Sequence, residues 1–382
     1  MSMPFSMQVA DERYFLQSQM WVTWEITKAC ALHCTPCRAD AQTRRAPAEL
    51  STVEGKRLID QIVEFDTPTL EITGGDPFER PDLFELLTYA IAKGLHVTLS
   101  PSITDKFNPQ MVHALREIGV SNIALGVDAP SADAHDQYRG VAGSFIGTMD
   151  LLRVIRSVGM RIHINTSVGR RTVGYLHEIE HLVSHMGASV WNLFFLVPGG
   201  RVKQEDILTG REHEHVVRWL AKREKDVPYR IFTTEGQQFH RIRIQREIGT
   251  DAHNLMCVKN HMDQLTESSG HTQETIFISH TGKVYPSPFM PVAVGDVRYE
   301  SLRRIYDDSP ILKSLRNVDG FRGKCGYCEF NHLCGGSRAR AYALTGDYLE
   351  TDPSCVYQPL AVRRASGRRR IHQIVSSQEA PA

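Results

Sequence analysis

Eight cysteines stand in the 382-residue chain, and seven of them fall into two tight groups near its two ends. The first group reads Cys30-Ala-Leu-His-Cys34-Thr-Pro-Cys37, a C-x3-C-x2-C spacing. Three thiolates on one short loop can ligate three irons of a cubane and leave the fourth iron open to a small ligand. Structural zinc is the competing reading. It wants four closed ligands, and the fourth would be His33 or a distant residue. The spacing alone leaves both open. The second group, Cys325-x2-Cys328-x5-Cys334-x20-Cys355, offers four thiolates, enough to enclose either a [4Fe–4S] cluster or zinc. Cys257 stands alone. A single thiol is most often a buried apolar group; one that works beside a substrate needs a lowered pKa.

Elements must place these groups. Strand-like runs at 21–27, 69–73, 95–100, 122–128, 161–168 and 190–197 are short and rich in β-branched and aromatic residues. Helical patterns lie between them at 52–65, 81–93, 109–118, 144–158 and 172–185. Ser51-Thr52-Val53-Glu54 is a capping box, Pro81 suits a first turn, and Gly94, Gly119, Gly159 and Gly187 suit helix ends. Strand–helix alternation predicts parallel pairing with right-handed crossovers. Six units are too few for a closed eightfold barrel, so the expected fold is α/β, a partial (β/α)6 TIM-like barrel. A helix at 212–225 would complete its ring. Ligands then bind at the C-terminal strand ends, where the first cysteine group sits. Beyond 227 the rhythm breaks until a hairpin at 275–286, whose turn is His280-Thr281-Gly282-Lys283. The expected domains are an N-terminal arm over 1–20, the barrel over 21–226, a cysteine-rich domain over 227–361 and a basic flexible tail over 362–382.

Composition narrows the class. Lys+Arg and Asp+Glu both number 44, so no net field invites nucleic acid or an acidic membrane. The longest apolar runs are far short of a bilayer span. The first residues carry acids and no apolar core, unlike a signal peptide. Clustered thiols suit a reducing compartment better than a disulfide framework. The expected location is cytoplasmic.

The second strand ends Glu71-Ile-Thr73-Gly74-Gly75-Asp76-Pro77. Together with C-x3-C-x2-C after strand one, this stretch resembles the radical S-adenosylmethionine (SAM) superfamily. There a GGEP stretch binds the SAM amino group; here it reads GGDP. The resemblance implies a SAM-binding [4Fe–4S] cluster on Cys30, Cys34 and Cys37. It implies reductive cleavage of SAM to a 5′-deoxyadenosyl radical, which abstracts hydrogen from substrate. Thr73, Gly74, Gly75, Asp76 and Pro77 become SAM contacts, with the glycines letting backbone approach the ligand. By position the resemblance adds Ser100, Asp128, Arg139 and Asn165, polar residues at later strand ends; strand-end bonding or capping accounts for them equally well. Pro36 departs from the family, which has an aromatic residue before the third cysteine. The C-terminal group resembles the SPASM extension or its shorter Twitch form. A full SPASM domain holds two further clusters, but Ser287 follows Gly282-Lys-Val-Tyr-Pro286 where a cysteine is usual, and Gly335-Gly336-Ser337-Arg338 has none. One second [4Fe–4S] auxiliary cluster is therefore expected.

Within the superfamily, Ser279–Pro286 and the stretch from Cys334 to Tyr348 followed by Asp352-Pro353 resemble enzymes of tetrapyrrole side chains in alternative haem biosynthesis. That implies oxidative decarboxylation of a propionate. Arg338 and Arg340 could pair with substrate carboxylates, although bonding carbonyls around the cluster loop is the stronger expectation. The alternative is a maturase of ribosomal peptides or another natural product. Such maturases usually carry an N-terminal recognition domain, for which a first strand at Trp21 leaves no room. A non-catalytic iron–sulfur carrier or sensor is the remaining class. The expected partners are a small-molecule or peptide substrate and an external one-electron donor such as flavodoxin or ferredoxin.

Overall fold

A computed structural model describes residues 20–65, 68–249 and 274–362. Cys257, the N-terminal arm up to residue 19 and the tail from residue 363 lie outside them. In chain order the elements are β1 (Met20–Glu25), α1 (Thr52–Val63), β2 (Pro68–Thr73), α2 (Leu83–Ala92), β3 (His96–Leu99), α3 (Pro109–Glu117) and β4 (Asn122–Gly126). Then come α4 (Ala132–Arg139), α5 (Ser144–Ser157), β5 (Arg161–Val168), α6 (Leu176–Met186), β6 (Val190–Phe195), α7 (Gly210–Arg223) and β7 (Arg230–Thr234). After α8 (Gln238–Ile248) follow β8 (Glu274–Ile278), β9 (Lys283–Tyr285), β10 (Gly295–Asp296), α9 (Leu302–Asp308), α10 (Pro310–Arg316) and α11 (Arg338–Thr345).

One sheet runs in the order β10-β9-β8-β1-β2-β3-β4-β5-β6-β7. All neighbours from β8 round to β7 are parallel; β8-β9-β10 is antiparallel. β7 and β8 do not pair, so the barrel stays open between them. The sheet is longer than the six units the sequence suggests. β7 extends it past β6, and β8 lies against the free side of β1, with Thr275 opposite Trp21. The barrel sheet therefore continues beyond residue 226. Both added strands have only five residues and lie outside the strand–helix rhythm.

Alternation sorts the side chains. Val22 and Trp24, Leu70 and Ile72, Ile123 and Leu125 share one core with Leu58, Ile59 and Ile62 of α1 and Leu86 and Leu87 of α2. The other face of these strands, with Thr23, Glu71, Asn122 and Asn165, lines the interior. Ser51 closes its capping box with Glu54. Helix α4 was not foreseen. It buries only His135 and Tyr138 and so shows no apolar stripe. Gly55 is needed for packing: a Cβ there would sit 2.9 Å from the Trp24 ring and 3.0 Å from Leu86. No helix among the described residues is long and apolar enough to cross a membrane.

Leu58 is 1% exposed in the seam between α1 and the sheet. Leu58→Ala should destabilise the protein by about 2–5 kcal/mol, read as a lower denaturant midpoint with native secondary structure retained. A cost below about 1 kcal/mol would mean that this seam is not a packed core.

Candidate active site

The first cysteine loop leaves β1 and returns on itself. Ala29 bridges Gln42, with Cys30 N donating to Gln42 O at 2.8 Å and Gln42 N to Lys28 O at 3.0 Å. Cys30, Cys34 and Cys37 share one apolar patch with Leu32, Ala41 and Val141. Two sulfurs receive backbone N–H groups: Leu32 N lies 3.3 Å from Cys30 Sγ and Ala41 N 3.4 Å from Cys37 Sγ. Burial pushes the Cys30 and Cys34 thiols up in the metal-free protein, and the neighbouring thiols add to it. A cationic ligand would stabilise them as thiolates. His33, the candidate fourth zinc ligand, is exposed.

Two clamps hold this loop. Arg201, from the turn after β6, donates to Ala41 O at 2.5 Å and Cys34 O at 3.3 Å, and its own N–H reaches Cys37 O at 3.0 Å. On the other side Thr35 N donates to Tyr138 O at 3.2 Å, and Gly140, at φ 71°, passes beneath the His33 carbonyl. Arg201 is a brace of the cysteine loop that sequence reasoning missed. A lone arginine in a Pro-Gly-Gly-Arg turn carries no periodic signal.

The glycine loop after β2 packs against the cysteine loop itself. Gly75 N donates to Thr27 O at 2.9 Å and Asp76 N to Ala29 O at 2.6 Å. A Cβ on Gly74 would come within 2.6 Å of the Thr27 carbonyl, and one on Gly75 would overlap the Ala29 carbonyl. The glycines are thus required by chain-to-chain approach, not only by approach to a ligand. Asp76 is also placed differently from expectation. It is 0% exposed and takes up its oxygens on Phe78 N (3.1 Å), Ser102 N (3.4 Å) and Thr104 Oγ1 (2.9 Å). Its carboxylate is the cap of the short turn from Pro77 to Glu79 rather than an open seat for an ammonium. Burial raises its pKa, with those donors pulling the other way. Of this loop's carbonyls, those of Thr73, Asp76 and Pro77 accept backbone N–H groups and that of Gly75 accepts from Ser102 Oγ.

Of four more expected contacts, Asp128 and Arg139 pair with each other, with Cys34 nearby. Arg139 Nη2 lies 2.5 Å from Asp128 Oδ2, and Asp128 Oδ1 accepts from Ser167 N at 2.7 Å. A Cβ on Gly126 would overlap the Arg139 guanidinium, so that glycine makes its berth. Against the cost of burial, Asp128 and the nearby Cys34 hold the Arg139 charge firmly on. Burial and that charge push His135 down to about 4, so it stays neutral and accepts from Asp128 N at 3.4 Å. Asn165 stands opposite Gly126 across the β4–β5 register. Ser100 lies deeper and donates to Glu71 Oε1 at 2.8 Å, a strand-to-strand bond. A small, narrow cleft opens beside the loop, lined by Thr35, Pro36 and Tyr138 and by Gly169, Arg171, Thr172, Leu196 and Asp206. At the end of β1, Glu25 is 4% exposed and paired with His280 Nδ1 (2.8 Å) and Arg38 Nη2 (3.0 Å). Against burial, these two keep its carboxyl below the usual range.

The C-terminal cysteines gather on a second small core. Cys328, Cys334 and Cys355 pack on Phe330, Leu333, Tyr357 and Ile244 of α8. Arg338 brings a guanidinium 3.5 Å from Cys325 Sγ and donates to the carbonyls of Tyr348 and Glu350. Burial and neighbouring thiols push Cys328 up to about 12 and raise Cys334, and burial with the Asp352 charge raises Cys355. Arg340 is buried against Asp352 (3.0 Å) and the Glu235 carbonyl (2.6 Å). Both arginines therefore do the structural bonding that the sequence favoured over substrate carboxylates. Among the described residues no three Cys, His, Asp or Glu side chains close on a single metal-ion position. Tetrahedral zinc would need sulfurs about 3.8 Å apart, whereas a cubane asks each thiolate to reach a different iron.

A family profile described as the Radical SAM superfamily matches residues 24–184. The chain is 36% identical over 342 residues to the AdoMet-dependent heme synthase of Oleidesulfovibrio alaskensis, covering 88% of this chain and 87% of that protein. It is 35% identical over 340 residues to the AdoMet-dependent heme synthase of Methanosarcina barkeri, covering 88% and 96%. Among solved structures, Streptococcus suis SuiB bound to S-adenosylmethionine matches with a TM-score of 0.64 at 15% identity, over 92% of this chain and 81% of that one. That last likeness is one of fold.

The packing of Gly75 sets a test. Gly75→Val should displace the Ala29–Cys30 backbone and lower iron bound at the first cysteine group together with SAM binding. Anaerobic iron analysis beside SAM equilibrium binding checks this; full iron content with intact SAM affinity would contradict the close approach.

Proposed function

The chain belongs to the radical SAM superfamily, and on that footing we propose that it oxidatively decarboxylates a propionate side chain of a tetrapyrrole. The observation that carries this reading is the identity of 35–36% across 88% of the chain to two proteins named AdoMet-dependent heme synthase. When bound, SAM and its [4Fe–4S] cluster supply one-electron chemistry that takes a hydrogen atom from an unactivated carbon. Everything else falls to the chain. Cys30, Cys34 and Cys37 would hold the cluster. Arg139 sets a fixed positive charge beside Cys34 and offsets the negative charge gathered there. The backbone from Thr73 to Pro77 would meet the SAM amino group, and Asp128, Arg139 and Asn165 face the same strand ends. Leu32, Ala41 and Val141 give the thiols an apolar surround.

Removing one hydrogen atom and one electron from a propionate releases CO₂ and leaves a vinyl group. That electron needs an acceptor. Cys325, Cys328, Cys334 and Cys355 fit this role as ligands of a second [4Fe–4S] cluster in a SPASM/Twitch-type domain. A third cluster is not supported. Ser287, standing where full SPASM domains place a cysteine, donates to Glu235 Oε1 at 3.0 Å, and Ser337 donates to the other oxygen of that buried carboxylate. A flavodoxin or ferredoxin would deliver the first electron in the cytoplasm.

Two measurements test the proposal. Reconstituted wild type should hold about eight irons per chain. Replacing Cys30, Cys34 and Cys37 by Ala, or the four C-terminal cysteines by Ala, should leave about four in each case. Only the first set should abolish SAM cleavage. Stoichiometric zinc with iron near four in wild type would refute the second cluster. The substrate is tested with an iron coproporphyrin, SAM and a strong reductant under anaerobic conditions. A vinyl product should form in step with deoxyadenosine; SAM cleavage without any change in the porphyrin's mass would refute the tetrapyrrole reading.

A further inference from the structure

We propose that Ser102 is a positioning residue whose single hydroxyl proton links the first cysteine group to the glycine loop. This rests on the reading that Cys30, Cys34 and Cys37 hold the SAM-cleaving cluster; it does not depend on the substrate. Ser102 Oγ lies 3.6 Å from Cys30 Sγ and 3.1 Å from the Gly75 carbonyl oxygen. Its backbone N–H donates to Asp76 Oδ1 at 3.4 Å. The residue is thus pinned by the buried carboxylate that caps the turn after Gly75, and its side chain touches both halves of the site.

A serine hydroxyl has one proton to give and two lone pairs to receive with. In the metal-free protein the three groups can form a chain. The Cys30 thiol donates to Ser102 Oγ, and Ser102 donates to the Gly75 carbonyl. A sulfur bound to iron has no proton to give. The Ser102 hydroxyl then has one proton for two acceptors, the Cys30 sulfur, which also accepts from Leu32 N, and the Gly75 carbonyl. Turned to the sulfur, its proton stabilises the more negative, reduced state of the site, because hydrogen bonds to ligand sulfur tune the potential. The same turn frees the Gly75 carbonyl to accept from an ammonium group, the chemistry of the SAM amino group. The ease of reduction and the seat of the ligand are in this way set by one proton.

The test compares Ser102→Ala with Ser102→Thr in the full-length reconstituted protein. Both should keep wild-type iron content, and Ser102→Ala, which leaves no hydroxyl proton competing at the Gly75 carbonyl, should bind SAM at least as tightly as wild type. The SAM-responsive EPR signal assigns the measured potential to the N-terminal site. In Ser102→Ala that site should reduce at a more negative potential. Single-turnover SAM cleavage with a weak one-electron donor should fall about tenfold, equivalent to roughly 59 mV for one electron. A stronger donor should restore the rate, and Ser102→Thr should behave as wild type. An unchanged potential in Ser102→Ala would overturn the proposal. Iron loss in Ser102→Ala would overturn it too, since the hydroxyl would then be only a brace for the loop. A wild-type protein with no SAM-responsive signal would first sink the cluster assignment itself, so the two failures are distinguishable.

Discussion

The structure depends on the approach of two backbones at the C-terminal ends of β1 and β2. Gly75 N reaches Thr27 O and Asp76 N reaches Ala29 O, and no Cβ fits between the two chains. These bonds prolong the β1–β2 ladder beyond the strands themselves, into the loop that bears the cysteines. The cysteine loop is therefore registered against the sheet, not suspended from it. Asp76 then passes that register on to the loop after β3 through Ser102 and Thr104. Arg201 and Gly140 close the loop from two further sides. The cysteine loop is thus held by contacts from several neighbouring strand ends, the kind of support a preorganised site requires.

Much of this was legible in the residue order, for identifiable reasons. The capping box at Ser51 and the glycines at 94, 119, 159 and 187, all with positive φ, act locally, and local chemistry survives folding unchanged. The cysteine spacings are local as well. What was hidden is long-range. β7 and β8 are short strands whose membership in the sheet is decided by partners far away in the chain. Helix α4 lacks a stripe because it sits on the barrel mouth and not over the sheet. Arg201 acts through backbone carbonyls, which no pattern of side-chain types announces. Asp76 misled for a related reason: a carboxylate near a binding loop suggests a ligand, while its burial turned it into a cap.

The C-terminal segment is joined to the barrel through polar contacts in a dry setting. Asp352 accepts from Ser337 N, Gln238 and Arg340, and Gln238 in turn meets His213 of α7. Burial pushes His213 down to about 3, helped by the Arg340 charge, so it remains neutral in this network. Such a network is stabilising only when complete, because each unpaired buried member costs free energy. It favours one docked arrangement of the second cysteine group over a loosely attached one.

The pairing of β8 with β1 bears on how the chain can be divided. β1 is the earliest strand of the sheet, yet one of its two edges is covered by residues some 250 positions later. A nascent or shortened chain that ends before β8 presents that edge as a row of open N–H and C=O groups, the template on which strands of other molecules add. The barrel sheet is therefore completed by a strand from beyond residue 226. Exchange of the C-terminal segment between relatives has to carry a strand that still fits β1, and a fragment cut at the compositional boundary is a candidate for aggregation rather than a minimal enzyme.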